Sequence, residues 1–161
     1  MKEFIEKISS YNLFNYLLPG VLFAVFAEYI TTYKVIQSDV ITGLFLYYFI
    51  GLLISRIGSL VLEPVMKKIS FLKFAPYKDF VAVSAKDPKL DTLSEANNMY
   101  RTLCALFIAL GALKLFEVVT DWLGMPGAAA PYILFILLFG LFAFSYRKQT
   151  KYIRDRVEAG K

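Results

Sequence analysis

The sequence contains no histidine and a single cysteine, Cys104. Without histidine, the common zinc sites and the Ser–His and Cys–His catalytic pairs are excluded, and one cysteine cannot form a disulfide within the chain. Cys104 lies in an apolar run, where a thiol acts as a small packing residue. Glycine-rich phosphate loops, nucleophile elbows and acid-rich metal motifs are also missing. We therefore predict that the protein is not an enzyme and carries no metal or cofactor.

Charge is scarce in four long blocks of the chain. Hydrophobic residues make up 58% of the sequence, above the roughly 45–50% of soluble domains, and they concentrate in residues 13–33, 40–62, 102–122 and 128–146. Each block is close to the ~20 residues that a transmembrane helix needs, and the blocks are apolar on most faces rather than along one stripe. The pattern predicts an all-α membrane protein with four transmembrane helices, forming a single membrane domain over residues 1–161.

Positive charge is distributed unevenly around these blocks. Nearly all of the 18 lysines and arginines lie in the N-terminal arm, in residues 63–101 and in the C-terminal tail, whereas Lys34 alone lies on the other side of a four-span arrangement. The positive-inside rule then places both termini and residues 63–101 in the cytoplasm, and we expect a multi-pass protein of the bacterial inner (plasma) membrane. The net charge of +5 is a topology signal, so we expect no direct binding of nucleic acid.

Several segments at the edges of the spans carry further signals. Glu3 and Glu6 argue against a cleaved signal peptide, so we expect the first block to be a retained span. Residues 1–12 can place their apolar side chains on one side, which predicts a short interfacial helix. The Pro19-Gly20 pair predicts a kink in the first span. The Asp87-Pro88 pair is typical of a helix start, and we expect that helix to run unbroken into the third span. The fourth helix should extend likewise into the tail, residues 147–161, so that two helices project into the cytoplasm.

Small residues at helical spacing indicate where the spans pack together. Helices in lipid associate through close packing of small side chains, because lipid offers no hydrophobic drive between them. Such residues recur in the first three blocks. The predicted packing residues are Gly20, Ala24, Gly51, Ser55, Ser59, Ala105 and Ala109.

A few polar residues fall inside the blocks, where they need internal partners. Glu28 continues the line of Gly20 and Ala24 and is expected at the same depth as Lys114, with Glu117 one turn further. We expect these three to form a pair or triad, and the alternative is that Lys114 and Glu117 simply reach the outer interface.

Arg56 lies about two turns inside the cytoplasmic boundary. Asn12, Asn15 and Ser59 are at suitable depth to hold its guanidinium in a structural clasp. The alternative for Arg56 is a functional role, as a pore lining or a switch. The complete predicted intramembrane polar network is Asn12, Asn15, Glu28, Arg56, Lys114 and Glu117.

The two projecting helices would form a natural docking surface for a soluble protein. Their exposed cations are the candidate contacts, and we predict partner docking at Lys86, Lys89, Arg154 and Arg156. The alternative is that these helices only solvate the ends of the spans. The nearby carboxylates are scattered along a solvated helix face and do not indicate a cation site.

Three stretches resemble small multi-span bacterial membrane proteins of anti-phage defence loci, nearest the transmembrane subunits of the Kiwa system. The stretches are residues 11–15, residues 55–59 with Glu63-Pro64, and residues 94–101. The resemblance implies an inner-membrane sensor or scaffold that forms homo-oligomers and holds a soluble cytoplasmic partner. It carries no functional residues over to this chain. The alternative function, from the intramembrane charges, is an oligomeric pore or membrane-disrupting effector.

Overall fold

The computed structural model describes residues 12–127 and 129–159, and all regular elements in these ranges are helical. The helices are α1 (Leu13–Ile30), α2 (Val40–Lys68), α3 (Tyr77–Ser84), α4 (Lys89–Trp122) and α5 (Ala129–Ala159). The expected interfacial helix over residues 1–12 lies outside the described residues apart from Asn12, which directly precedes α1.

Four of these helices, α1, α2, α4 and α5, are long and apolar enough to cross a membrane. A helix suits these sequences because it bonds every backbone polar group within its own segment, which a hydrocarbon environment requires. The prediction of an all-α protein with four helices long and apolar enough to span a membrane is confirmed for the described residues. Helices α4 and α5 contain 34 and 31 residues, so each is longer than the ~20 residues that crossing requires.

Helix α4 begins at Lys89, one residue later than the sequence signal suggested. Pro88 directly precedes the helix, and the Asp87 carboxylate accepts a hydrogen bond from the Lys89 backbone N–H at 3.0 Å. From there the helix runs unbroken to Trp122. Asp87 therefore bonds the first free N–H of the helix, as a capping residue does.

Two turns of π-helix interrupt the spanning helices, and each ends two residues before a proline. Residues Leu13–Leu17 precede Pro19 in α1, and Gly58–Leu62 precede Pro64 in α2. Proline lacks the backbone N–H and its ring clashes with the carbonyl four residues earlier. A wider turn relieves that clash, so both prolines are accommodated by a change of winding.

Helices α1 and α2 form the tightest contact in the described chain. A Cβ atom on Gly20 would overlap the carbonyl oxygen of Tyr47, and one on Gly51 would overlap the carbonyl oxygen of Tyr16. The two backbones therefore touch, and glycine is required at both positions. Helix α4 packs against this pair through Leu106 and other buried side chains. Of the remaining small residues, the buried ones are Ala24, Ser55, Ser59 and Ala105, and Ala109 is half-buried.

Helix α5 lies at the edge of the bundle, and none of its described residues is buried. Phe142 meets Phe49 of α2 with ring centroids 6.1 Å apart. Further along, Tyr152 stacks on Tyr77 of α3 at 6.3 Å. Most of the large apolar side chains of α5 are exposed.

Hydrogen bonds between distant residues define the two ends of the bundle. We call one the basic end, where side chains of Asn15, Ser59, Glu63, Thr102 and Lys148 meet. We call the other the loop end, where Thr32 meets Glu117. Consecutive spanning helices therefore run in opposite directions. Helix α3 contacts both α4 and α5 at the basic end.

Candidate functional site

The densest polar group in the described chain is at the basic end, around Glu63. Its carboxylate is 2.9 Å from Lys67 Nζ, 2.9 Å from Arg101 Nη1 and 3.7 Å from Lys148 Nζ. Glu63 is only 7% exposed, and the three cations come from α2, α4 and α5. We call these four residues the Glu63 cluster. One carboxylate facing three cations leaves it with excess positive charge.

The π-helical turn before Pro64 provides the carbonyl oxygen that binds Lys148. Within this turn the Glu63 backbone N–H bonds to Gly58, five residues back, and Pro64 has no N–H to offer. The carbonyl oxygen of Ser59 is thus left without a donor from its own helix. Lys148 supplies one, donating to the Ser59 carbonyl oxygen at 2.6 Å and to its hydroxyl at 2.7 Å. This contact joins α5 to α2.

The π-helical turn of α1 places Asn15 at the same end of the bundle. Asn15 and Thr102 are both fully buried. The Thr102 hydroxyl lies 3.0 Å from Asn15 Oδ1 and 2.8 Å from the carbonyl oxygen of Asn98. This hydrogen-bonded group links α1 to α4 beside the Glu63 cluster.

Arg56 does not hold the central position that its depth suggested. The expected partners were Asn12, Asn15 and Ser59, but the oxygens of Ser59 bind Lys148. Arg56 is half-buried beside Lys148, in a crevice between α2 and α5. It forms no ion pair with any residue of the described ranges. The cation that clasps the second span therefore comes from the fourth helix, after the end of its predicted apolar block.

At the loop end, Glu28 binds backbone rather than a cation. Its Oε1 atom accepts hydrogen bonds from the N–H groups of Val35 at 2.9 Å and Ile36 at 2.8 Å. The expected pair with Lys114 is not formed. The reason is that the α1–α2 loop turns back over the end of α1 and presents N–H groups that need an acceptor.

Glu117 is the second carboxylate of the loop end and is 4% exposed. Its Oε1 accepts from both the N–H and the hydroxyl of Thr32, each at 2.6 Å, and its Oε2 is 2.6 Å from Lys114 Nζ. Lys114 and Glu117 therefore form the pair within α4, while Thr32 ties this pair to α1.

The four predicted docking cations all lie on exposed surface at the basic end. Lys86 and Lys89 flank the turn between α3 and α4, and Arg154 and Arg156 lie on the last turns of α5. The Arg154 guanidinium reaches two carboxylates of its own helix at 3.7 and 3.8 Å. Pairs of this kind in water contribute little, and the Arg154 guanidinium stays accessible on the surface.

Sequence reasoning missed the Glu63 cluster because Glu63-Pro64 looked like the end of a span. Two signals could have found it. Glu63 and Lys67 have the spacing of an ion pair on one helix turn, and Arg101 stands immediately before the third apolar block, at the depth of Glu63. The involvement of Lys148 depends on how α5 packs, which no local pattern reports.

The Glu63 cluster consists of one carboxylate and three cations. Within residues 12–127 and 129–159, no three His, Cys, Asp or Glu side chains lie together as a metal site. Comparison of the chain with protein-family models, with curated proteins and with solved structures finds no match.

Proposed function

We propose that this protein is a non-enzymatic scaffold or sensor of the bacterial inner membrane that recruits a soluble cytoplasmic partner. The observation that carries the proposal is a three-helix platform at the basic end. It consists of α3, residues 89–101 of α4 and residues 147–159 of α5, with α3 packed against both long helices. Helices that only crossed the bilayer would end near its surface at ~20 residues. The additional length supports a surface built for contact.

The charge pattern supports a cytoplasmic position for the platform. Lysines and arginines concentrate at this end, and Lys34 alone lies near the loop end outside the spans, as the positive-inside rule favours for cytoplasmic segments. The exposed cations Lys86, Lys89, Arg154 and Arg156 then face the cytosol. An acidic surface on the partner would complement them.

Self-association is part of the proposal, and the open face of α5 supports it. A Cβ atom on Gly140, in the middle of α5, would meet nothing within 4 Å. Small residues on an open helix face let a second helix approach closely in lipid. A role in anti-phage defence is proposed on the resemblance of residues 11–15, 55–59 and 94–101 alone.

The test is recruitment of the partner by charge-reversal variants in the native membrane. Arg154→Glu with Arg156→Glu should abolish co-purification of the soluble partner, because two of the four docking cations become anions. Lys68→Glu with Lys73→Glu is the matched control, since it reverses two exposed charges at the same end that are not part of the three platform helices. A reporter fused after Lys161 checks that every variant keeps its orientation. Equal recruitment by both double variants would contradict the platform as the docking surface.

The alternative function is an oligomeric pore, and Arg56 is the observation that favours it. A half-buried guanidinium with no ion pair in the described ranges is a candidate to line a path between copies. Conductance of the purified protein in liposomes separates the two functions. The scaffold proposal expects little ion flux. Robust flux that changes in Arg56→Gln, with recruitment unaffected by the platform variants, would favour the pore.

A further inference from the structure

Beside the end of the fourth spanning helix lies an open groove of about 790 Å³. Its walls are of two kinds. Leu60 of α2 and Phe144 of α5 line it with apolar surface, while Arg147, Lys148, Lys151 and Arg154 line it with cations. The groove is therefore amphipathic.

The spacing of these residues fits the boundary of a bilayer. Phe144, Arg147 and Lys151 are three and four residues apart, so they share one face of α5. Arg147 and Lys151 lie about 5 and 10 Å beyond Phe144 along the helix axis. The headgroup layer on one side of a bilayer is about 5–8 Å thick. Arg147 thus stands at headgroup depth when Phe144 stands at the edge of the hydrocarbon. The backbone of Lys151 lies just beyond that layer, and its side chain points back towards it, because helical side chains point towards the N-terminus of their helix.

The cations of the groove are differently engaged. Lys148 already binds Ser59 and Glu63, so it is not free to bind a ligand. Arg147 and Lys151 are exposed and form no ion pair with any residue between 12 and 127 or between 129 and 159. Two cations without a neutralising carboxylate, next to apolar surface, fit a ligand that has both an anionic head and an apolar tail.

We propose that this groove binds an anionic phospholipid. The phosphate lies between Arg147 and Lys151, and an acyl chain runs along Leu60 and Phe144. An acidic peptide would complement the cations but would leave the apolar side chains of Leu60 and Phe144 uncovered, whereas a phospholipid covers both kinds of side chain. The groove shares Arg154 with the docking cations. Arg147 and Lys151, which hold the phosphate, are not among those cations, so the lipid site does not depend on the scaffold function.

Native mass spectrometry of the detergent-purified full chain tests the site. Phosphatidylglycerol and phosphatidylcholine with identical acyl chains are titrated in parallel. Wild-type protein should bind phosphatidylglycerol at least tenfold more tightly. Arg147→Gln with Lys151→Gln should weaken phosphatidylglycerol binding by about 20- to 30-fold, because each cation near an anionic lipid surface contributes about fivefold. Phosphatidylcholine binding should stay the same.

The matched control is Lys86→Gln with Lys89→Gln, which removes two exposed cations outside the groove and should leave lipid binding unchanged. Equal wild-type affinity for the two lipids would overturn the proposal without any variant. A control variant that loses as much affinity as the groove variant would also overturn it. Glycerol phosphate, which has no acyl chains, should bind far more weakly than the lipid. Equal binding would identify a free phosphate site and overturn the lipid assignment.

Discussion

Helices α1 and α2 are joined in a way that differs from the attachment of α5. The backbones of α1 and α2 touch at Gly20 and Gly51, and buried small and apolar side chains continue the contact. Helix α5 has no buried residue in the described chain. It is held by ring contacts and by the hydrogen bonds of Lys148 to Ser59. One attachment depends on shape and the other on a few polar and aromatic contacts.

The difference follows from the solvent around the helices. Lipid tails are as apolar as leucine, so exposing α5 to them costs little, and helices associate only where packing or hydrogen bonds are better than lipid. Close backbone contact satisfies the first condition for α1 and α2, and the Lys148 contact satisfies the second for α5. The association of α1 with α2 should therefore be weakened by added side-chain volume, and the attachment of α5 should be weakened by the loss of charged groups.

The largest expected effect comes from adding volume where the backbones touch. Gly51→Ala places a methyl group on the Tyr16 carbonyl, and neither backbone can yield without separating the helices. Overpacking of a tight site costs about 3 kcal/mol or more when the obstacle cannot move. Thermal unfolding in detergent should show a large drop in Tm, or no folded protein at all.

The control for this variant is Gly111→Ala in α4. No atom lies within 4 Å of the added methyl group, and alanine favours the helix over glycine by up to ~1 kcal/mol. The Tm of this control should be unchanged or higher. If the two variants unfolded at the same temperature, the tight backbone contact at Gly51, which α5 lacks, would not exist.

The next effect concerns the charge that holds α5. Glu63→Gln removes the carboxylate shared by Lys67, Arg101 and Lys148 and leaves three cations facing one another. Removing one partner of a fully buried ion pair lowers the free energy of unfolding by about 3–5 kcal/mol. The Lys67 side chain is 44% exposed, and solvent screens its charge, so we expect a loss of about 2–3 kcal/mol here.

Chemical or thermal unfolding measures this loss, with Glu95→Gln as the control because Glu95 is exposed on α4. Fluorescence of a probe on α5 should also report detachment of this helix before the rest unfolds. Ordinary surface substitutions change the free energy of unfolding by up to ~0.5 kcal/mol. A change no larger than this in Glu63→Gln would show that the cluster does not hold α5.

The number and composition of the spans could be predicted because hydrocarbon imposes one rule on every residue of a block. The partners of the polar residues could not. Glu28 binds loop amides whose position depends on how the α1–α2 loop folds back. Ser59 binds Lys148 because a proline five residues later frees its carbonyl, and this requires knowing which helix lies opposite. Depth along a span follows from the sequence, whereas the neighbour at that depth follows from packing.

The smallest effect sharpens the comparison at the loop end of α1 and α2. If packing holds this pair, the cap that starts α2 should contribute little. Asp39 Oδ1 accepts a hydrogen bond from the Thr42 N–H at 2.8 Å. Hydrogen bonds from the Thr42 side chain and backbone lower the pKa of Asp39 below its ordinary value of 3.8.

A lowered folded-state pKa adds stability that is fully present above the ordinary value and is lost as the pH falls through the folded value. The Tm of wild type should therefore exceed that of Asp39→Asn by a small, constant amount above about pH 5. This advantage of wild type should decrease below pH 4. Asparagine still caps a helix start, so the variant isolates the charge, and titration of the other carboxylates cancels in the difference. A difference that stayed constant down to pH 2, or that exceeded the effect of Glu63→Gln, would show that this loop cap has a different role from the one its geometry indicates.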